Sequence, residues 1–388
     1  MRHSVLFLVC SATAFAFAHR MSVAPFLDVF MSLYGITYAQ AGGLLSAFYI
    51  GYAVCLVPGG ILADTVGPRV TMLAGLLVSG VSSAAFAFSP GYGSGLVFRL
   101  VLGVGIALIH PSGLKILASN SPRKDLGVAV GLRECAARAG VLISTALLPL
   151  LSARFELRLL YLVLSVLALP TMFWVTRHCP PDGRTVGAAR RGCAPVPGTP
   201  LQREVLLLMG VTFFQLFAIN GFMGWFPTYL QGGIGISRQQ AAAVMAVNQG
   251  AMVCASFGAG CLSDAMGTRR PVIAIGTGAM AAVLLCLALG PGLPILPVSG
   301  LAGVAAAFSL GPTIAMTAEA VPAGRSGTAV AATSAAGQSA SALAGWLSGW
   351  LVDRSGGFTM VWMSMLGALA IEGVLLWFTR RPGATGGG

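Results

Sequence analysis

The sequence predicts an all-α integral membrane protein in which twelve transmembrane helices form two six-helix repeats. Three observations lead to this prediction. Of the 388 residues, 56% are hydrophobic and only 9% are charged, whereas a soluble domain carries about 25% charged residues. Apolar stretches long enough to cross a bilayer recur along the chain, and a motif in the first half returns 200 residues later. This composition excludes a soluble enzyme.

The apolar stretches fall into two groups of six, each long enough for the roughly 20 residues that a membrane helix needs. The first six lie at 4–27, 41–63, 70–89, 93–118, 126–151 and 158–176. The second six lie at 205–230, 239–262, 271–289, 294–318, 327–352 and 358–379. We therefore predict an N-terminal bundle of residues 1–176, a central loop of 177–203 and a C-terminal bundle of 204–388.

The first stretch has an alternative interpretation. An N-terminal Met1-Arg2-His3, an apolar run and Ala16-Phe17-Ala18 also fit a secretory signal with its cleavage site. The apolar pattern continues past Arg20, however, and the count of six plus six requires this stretch. We assign it to the first transmembrane span.

The distribution of Lys and Arg predicts the orientation. If the N-terminus is cytoplasmic, four basic residues lie in the outer loops and fourteen lie on the cytoplasmic side, which is a strong positive-inside bias. The fourteen are Arg2, Arg69, Arg123, Lys124, Arg177, Arg184, Arg190, Arg191, Arg203, Arg269, Arg270, Arg325, Arg380 and Arg381. We expect a bacterial inner-membrane protein with both termini and the central loop in the cytoplasm.

The charge and the cysteines indicate no nucleic acid and no metal. The net charge is +12, but the basic residues are spread thinly, whereas nucleic-acid binding needs them clustered on one face. The eight cysteines lack metal-type spacing, and the chain has no phosphate-binding glycine loop. We expect no cofactor. The sequence leaves the oligomeric state open, although one chain that holds both repeats could work as a monomer.

A repeated loop is the most informative motif. It contains Gly60, Asp64, Gly67 and Arg69 in the first half and Gly260, Asp264, Gly267 and Arg269 in the second. Residues 122–130 recur as 322–330 at the same offset. Glycine permits a tight turn, and a carboxylate at a helix end can face an Arg or a helix N-terminus. We predict that the two Asp residues are gate latches, although one copy alone would fit an ordinary loop acid.

These motifs resemble the major facilitator superfamily. The pattern G-x-L-[AS]-D-x-x-G-x-R follows the second and eighth spans, and Arg99-x-x-x-Gly103-x-Gly105 in the fourth span is also similar to that family. The resemblance implies a secondary transporter in which two six-helix halves rock around a central site. The family usually has a basic residue where Thr65 and Ala265 stand, so the loop's charge network is expected to be weaker here.

Charged residues within the spans predict an anionic solute. Basic residues outnumber acidic ones there, and each unpaired charge at the bilayer centre costs about 2.5–3.5 kcal/mol, so such residues usually face a partner or a cavity. We predict substrate contacts for Arg20 and Arg99, a pair that resembles the organic-anion and sugar-acid carriers of the superfamily. The alternative for Arg99 is an anchor between helices, and Lys115 is expected to reach the interface without a function.

Three residues are candidates for proton coupling. Glu134 lies four residues before Arg138, which favours an intrahelical pair, or it titrates when an anion competes for the neighbouring cations. His19 and His110 are the other candidates, and either could be a hydrogen-bonded packing residue.

Uncharged polar residues in the second half suit a polar ligand. Asn220 lies 200 residues after Arg20, and Asn248, Gln249 and Gln338 fall in the middle of their spans. Trp225 could stack on the substrate or anchor the seventh span at the interface.

Two other functions were weighed against anion transport. Efflux of an amphipathic drug or cation would favour an acid in the middle of the first or fourth span, and neither has one. A membrane-embedded enzyme or receptor would need a cluster of Ser, His, Asp or metal ligands, which the four histidines at 3, 19, 110 and 178 do not form.

Overall fold

A computed structural model describes residues 3–179, 203–290, 294–321 and 326–379. Every regular element in these ranges is helical. The chain divides into two compact units, Met1–Pro195 and Val196–Gly388. Most of the predicted central loop lies outside the described residues, and so do Arg2, Arg184, Arg190, Arg191, Arg325, Arg380 and Arg381.

The N-terminal unit contains spans 1 to 6. They run His3–Tyr34, Tyr38–Thr65, Pro68–Ala87, Tyr92–Asn120, Leu126–Leu151 and Leu157–His178. Within span 5, the helix Arg123–Leu142 continues through a π-helical segment, Ile143–Leu147, into Leu148–Leu151. Span 6 consists of the helices Leu157–Val166 and Ala168–His178.

The C-terminal unit contains spans 7 to 12. They run Arg203–Gly233, Arg238–Ala265, Arg270–Leu289, Ile295–Glu319, Ser326–Ser355 and Thr359–Phe378. Span 7 ends in a π-helical segment, Tyr229–Gly233. Within the described ranges, eleven of these twelve helices are long and apolar enough to cross a membrane. Span 11 is not among the eleven; it is 30 residues long but carries Ser, Thr and Gln along its length. The predicted all-α membrane fold is confirmed.

Span 1 is longer than the stretch 4–27 that hydropathy predicts. The helix His3–Met21 stops before a 3-10 turn, Ala24–Phe26, and a second helix, Leu27–Tyr34, follows it. Pro25 lies in the turn, and a proline has no N–H for a helical hydrogen bond. The second helix ends at Gly35, whose φ of 61° is the left-handed conformation that glycine adopts easily.

Spans 2 and 8 begin with the same capping box. Thr37 and Gln40 exchange side-chain hydrogen bonds with each other's backbone N–H at the start of span 2. Ser237 and Gln240 do the same at the start of span 8. Such caps satisfy backbone donors that a helix start leaves free, and here they recur at the repeat offset.

The two units also share their helix pairing. In the N-terminal unit span 4 packs on spans 2 and 3, and span 1 packs on span 5; in the C-terminal unit span 10 packs on spans 8 and 9, and span 7 on span 11. Gly103 lies directly against the Phe48 carbonyl, and Gly303 against the Asn248 carbonyl. A Cβ at either glycine would collide with that oxygen. Both contacts are again 200 residues apart, so the duplication extends to the packing.

Candidate functional site

A recess in the N-terminal unit brings several predicted polar residues together. Spans 1, 2, 4 and 5 line it with Thr13, Phe17, Arg20, Phe48, Tyr52, Ile106, His110 and Arg133, among others. Its free space is about what one water molecule needs. Two arginines and a histidine share this narrow space.

Arg20 is half-buried and lies in the recess as predicted. Its Nε donates to the Tyr49 hydroxyl over 3.3 Å, and its guanidinium carbon lies 5.1 Å from the Tyr49 ring centre and 5.4 Å from that of Phe17. Within the described residues no carboxylate comes within 4.0 Å of this guanidinium. Aromatic faces stabilise a cation by about 0.5–2 kcal/mol. These face contacts do not use the N–H groups of the Arg20 guanidinium, so those donors remain available to an anion.

Arg133 is the site residue that sequence reasoning missed. The side chain is 2% exposed and lines the same recess. Its Nη1 donates to Glu134 Oε1 over 2.7 Å, while its Nε has no hydrogen-bond partner among the described residues. The sequence places five basic residues within the spans, Arg20, Arg99, Lys115, Arg133 and Arg138. Only the rotation of span 5 decides that Arg133 points inward.

The contacts of Glu134 differ from the predicted pair with Arg138. Glu134 pairs with Arg133, its chain neighbour, and its side chain is 50% exposed. In the described part of the chain no carboxylate lies within 4.0 Å of the Arg138 guanidinium. The predicted i, i+4 pair is therefore wrong, because side-chain direction in span 5 favours the adjacent partner.

The two histidines have different surroundings. His110 lines the recess, and its Nδ1 lies 3.2 Å from the Tyr52 hydroxyl. His19 is fully buried, with Nδ1 2.9 Å from the Phe15 carbonyl and the ring against that of Phe15. Its Nε2 has no partner among the described residues. His19 thus packs inside the unit, whereas His110 borders the recess.

The contacts of Arg99 match the anchoring alternative. The side chain is 1% exposed, and its three nitrogens donate to the backbone carbonyls of His19 (3.1 Å), Arg20 (3.3 Å) and Leu44 (3.3 Å). His19 and Arg20 end the helix His3–Met21, whose last carbonyls lack helical partners. Arg99 therefore caps span 1 and joins it to spans 2 and 4, and substrate contact is not its evident role.

The predicted polar residues of spans 7 and 8 are buried and largely bonded within their unit. Asn220 donates to Ser341 Oγ over 2.7 Å, and Asn248 donates to the Ser299 carbonyl over 2.8 Å. Gln249 donates to Asn248 Oδ1 over 3.1 Å, while its Oε1 has no partner among the described residues.

Gln338 and Trp225 complete the predicted residues of this unit. Gln338 is 8% exposed, and its Oε1 also lacks a partner within the described ranges. Trp225 is completely buried, and its Nε1 donates to the Gly345 carbonyl over 3.1 Å. Trp225 joins span 7 to span 11 inside the unit, which fits neither predicted role, stacking on substrate or anchoring at a membrane interface.

The first copy of the repeated loop forms a charge pair. Asp64 lies 2.6 Å from Lys115 Nζ, which also donates to the Gly60 carbonyl over 2.6 Å. Lys115 was expected to have no function, and the structure gives it a role in tying span 4 to the end of span 2. Arg69 donates to the Thr176 carbonyl at the end of span 6 over 2.7 Å.

The second copy uses different partners. Arg269 contacts Asp264 at 2.5 Å and Glu319 at 3.0 Å. The hydrogen bonds to Asp264 and then Glu319 raise the pKa of the Arg269 guanidinium above its ordinary value. The cluster joins the ends of spans 8, 9 and 10.

Glycine has a clear backbone role at only one position of each loop copy. Gly67 and Gly267 have φ values of 116° and 62°, a region that other residues rarely adopt. Gly60 and Gly260 would accept a Cβ without any contact, so packing does not require glycine there. Among the described residues no group of three His, Cys, Asp or Glu side chains could hold a metal ion.

Comparison with known proteins places the chain in a family. The model of the Major Facilitator Superfamily matches residues 9–260 and 208–387. The chain is 25% identical to a probable sulfoacetate transporter of Cupriavidus necator, over 72% of this chain and 69% of that protein. It is 24% identical to a hexuronate transporter of Bacillus subtilis, over 55% of this chain and 52% of that protein.

A solved structure has the same fold. The crystal structure of a D-xylose-proton symporter superimposes with a TM-score of 0.80 at 18% identity, covering 97% of each chain. The protein is thus a multi-pass membrane transporter and not an enzyme, and the chain belongs to the Major Facilitator Superfamily.

Proposed function

We propose that this transporter carries a small organic anion and that the Arg20 guanidinium binds the anion's carboxylate or sulfonate group. The observation that carries the proposal is the state of Arg20. It is a half-buried cation inside a membrane span, bonded only to a phenol and two aromatic faces among the described residues. An uncompensated cation at such depth is costly, and a bound anion would supply the missing charge.

Arg133 and His110 support the same ligand chemistry. Both line the recess with Arg20, and the Arg133 Nε has no partner among the described residues. Guanidinium groups bind carboxylates and related oxyanions through two parallel hydrogen bonds. A second guanidinium beside the first would favour a solute with two anionic or polar ends.

The relatives support an organic acid as the class of solute. The sulfoacetate and hexuronate transporters are named for small organic acids that are anionic at neutral pH. Their names are consistent with the arginines of the recess, and together these features favour a carboxylate or sulfonate over a neutral solute.

The composition of the recess speaks against cation efflux. Efflux of a cation would favour a carboxylate facing the ligand, and among the described residues that line the recess there is neither Asp nor Glu. Glu134 lies next to Arg133 but is half-exposed and paired with it. We therefore favour the anion over the drug or cation.

The remaining parts of the proposal concern mechanism and placement. We propose alternating access, with the two six-helix units as the moving bodies, because duplicated halves with matching helix pairs are the design of this transporter class. The excess of Lys and Arg in one set of loops supports cytoplasmic termini in a bacterial inner membrane. A single chain holds both units, which supports a monomer.

The test is ligand-induced thermal stabilisation of the purified protein. Sulfoacetate and D-glucuronate represent organic anions, tetraphenylphosphonium a lipophilic cation, and D-glucose a neutral solute. A ligand that binds only the folded state raises the melting temperature. We expect a rise with at least one anion that is lost in Arg20→Ala.

Arg154→Ala is the matched control, because Arg154 is an exposed arginine in the loop after span 5. It should respond to the anion as the wild type does. Stabilisation by the lipophilic cation, unchanged in Arg20→Ala, would overturn the proposal and favour efflux.

A further inference from the structure

Glu372 is a fully buried carboxylate in the C-terminal unit. It lies in span 12 with 0% exposure. Its Oε1 accepts hydrogen bonds from Thr277 Oγ1 (2.9 Å) and Gln215 Nε2 (3.1 Å). The Gln215 amide also donates to Thr313 Oγ1 over 3.1 Å. These four residues, the Glu372 network, join spans 7, 9, 10 and 12.

An apolar cluster closes one side of this network. On each of the four helices, a residue of the cluster stands one turn from the network residue, always toward the same end of the unit. The cluster consists of Leu208, Val211, Ile273, Met316 and Leu376. Water from that end therefore meets hydrocarbon before it reaches the carboxylate.

Among the described residues, no cation neutralises Glu372. In the described part of the unit, no Lys or Arg nitrogen lies within 4.0 Å of its oxygens, and the second half of the sequence contains no histidine. The charged groups on the helices packed against it stand near helix ends: Arg203 and Glu204 on span 7, Arg269 and Arg270 at the start of span 9, Glu319 on span 10, and Asp353 and Arg354 on span 11. Arg269 binds Asp264 and Glu319, and Arg270 donates to the carbonyls of Trp377 and Thr379.

The second oxygen of Glu372 shows where a proton fits. Oε2 is buried and has no hydrogen-bond partner among the described residues. An ionised carboxylate in an apolar interior costs many kcal/mol unless it is paired, and such groups become neutral instead. Oε1 is held by two donors, so Oε2 is the oxygen that carries the proton.

The fold itself does not require this acid. Positions 200 residues earlier hold Phe15, Leu77, Gly113 and Met172, and the N-terminal unit forms the corresponding helices without a polar network at that place. A stabilising role in the shared architecture therefore does not explain why, among the described residues, only the C-terminal unit buries a carboxyl group.

We propose that Glu372 is a proton-binding site of the C-terminal unit, protonated in the arrangement seen here and releasing its proton when water passes the apolar cluster and reaches Oε2 during transport. Breaking the Oε2–H bond leaves a carboxylate and yields one proton, so each cycle binds and releases one proton at this group. Coupling of this proton to anion movement rests on the proposed function.

Infrared difference spectroscopy tests protonation without any substrate. The wild type at neutral pH should show a carboxylic-acid C=O band that is missing in Glu372→Gln and present in Glu134→Gln, which removes an exposed acid. Thr277→Val deletes one hydrogen bond to Oε1 and should shift the band. A wild-type spectrum without this band, or a band kept unchanged in Glu372→Gln and Thr277→Val, would overturn the proposal.

Transport in proteoliposomes tests coupling. With labelled D-glucuronate or sulfoacetate, Glu372→Gln should keep exchange at the wild-type rate but lose the stimulation of uptake by a pH gradient. Unchanged stimulation in Glu372→Gln would refute coupling through Glu372. If the wild type exchanges neither anion, the proposed substrate class fails, while the infrared result for Glu372 still decides its protonation.

Discussion

The two units of this protein share their helix pairing but differ in the charged side chains that they bury, which are basic in the N-terminal unit and acidic in the C-terminal unit. Spans pair in the same way in both units, and the capping boxes and close glycine contacts recur 200 residues apart. The basic side chains of the N-terminal recess, Arg20, His110 and Arg133, correspond to Asn220, Leu310 and Thr333. The C-terminal unit instead buries the carboxyl group of Glu372.

Arg99 and its counterpart Ser299 show how this divergence works in detail. Arg99 donates to the Leu44 carbonyl over 3.3 Å, and Ser299 donates to the Val244 carbonyl over 2.9 Å. The same interhelical bond is therefore made by a long cation in one unit and a short hydroxyl in the other. The extra reach of Arg99 to span 1 is what distinguishes the N-terminal unit.

The comparison teaches that the same helix pairing accommodates side chains of different charge. Arg99 and Asn248 find hydrogen-bond partners within their own units. Arg20 has no carboxylate partner among the described residues, and Arg133 Nε and Glu372 Oε2 have no hydrogen-bond partner there, which is why we propose ligand or proton binding at these three groups.

The largest effect, on anion affinity, is expected when two arginines of the N-terminal recess are replaced by the residues at the corresponding positions of the C-terminal unit. Arg20→Asn combined with Arg133→Thr removes both guanidinium groups. Truncating one partner of a buried charged contact costs about 2–5 kcal/mol, so anion affinity should fall by more than about thirtyfold. Titration calorimetry with sulfoacetate and D-glucuronate measures this. If the double variant bound the anion with wild-type affinity, the basic side chains that distinguish the N-terminal recess would not explain anion binding. Arg154→Ala is the control and should bind as the wild type does.

Arg99→Ser should mainly reduce stability. The serine can keep a bond to Leu44, and the His19 carbonyl still accepts from Ser22 Oγ over 3.0 Å, but the Arg20 carbonyl loses its guanidinium donor. A buried group left unsatisfied costs about 1–3 kcal/mol, so the unfolding free energy should fall by about that amount. Thermal unfolding of the ligand-free protein measures the change. A stable Arg99→Ser protein that fails only to bind anions would restore the substrate role for Arg99.

Gly103→Ala and Gly303→Ala form a matched pair, one in each unit. The added methyl group meets the Phe48 carbonyl in one case and the Asn248 carbonyl in the other, and overpacking of this kind costs about 1–3 kcal/mol. We expect similar losses of melting temperature in the two variants. Gly367→Ala is the control, since its Cβ would meet open space. A loss confined to one unit would show that the packing is less symmetric than the backbone.

The smallest effect on stability is expected at the repeated loops. Asp64→Asn weakens a pair that is one-third exposed, and Asp264→Asn weakens one whose carboxylate is 71% exposed. Exposed ion pairs contribute about 0–1 kcal/mol, so neither melting temperature should move by more than a few degrees. If the loops are latches, the exchange rate of the transported anion should change in both variants. An unchanged rate would reduce Asp64 and Asp264 to ordinary loop acids.

Much of the architecture was predictable because it follows from local sequence. Hydropathy located all twelve spans, and most of the predicted span ends lie within a few residues of the observed ones. The repeated loop indicated the duplication. The extension of span 1 to Tyr34 escaped prediction because Pro25 interrupts the apolar run, while tertiary contacts let a second helix continue.

The candidate site was predictable only in part. Arg20 was identified because a cation so deep in an apolar stretch needs a reason, and its place in the recess agrees with that argument. Arg133, which shares the recess, was missed, since a sequence gives the spacing of charges along span 5 but not the direction in which each side chain points.

By itself, the sequence determined that the protein lies in a lipid bilayer, how many spans it has and that it contains a twofold repeat. These features depend on runs and spacings of residues, because such local patterns decide which segments bury apolar surface in a bilayer and where helices are capped. Only the tertiary structure decided which charges are satisfied. Arg99 donates to three backbone carbonyls, and Lys115 forms an ion pair with Asp64. An apolar cluster separates Glu372 from water at one end of its unit. The reason is physical: the free energy of a buried charge depends on partners within a few ångströms, and distant parts of the chain supply those partners.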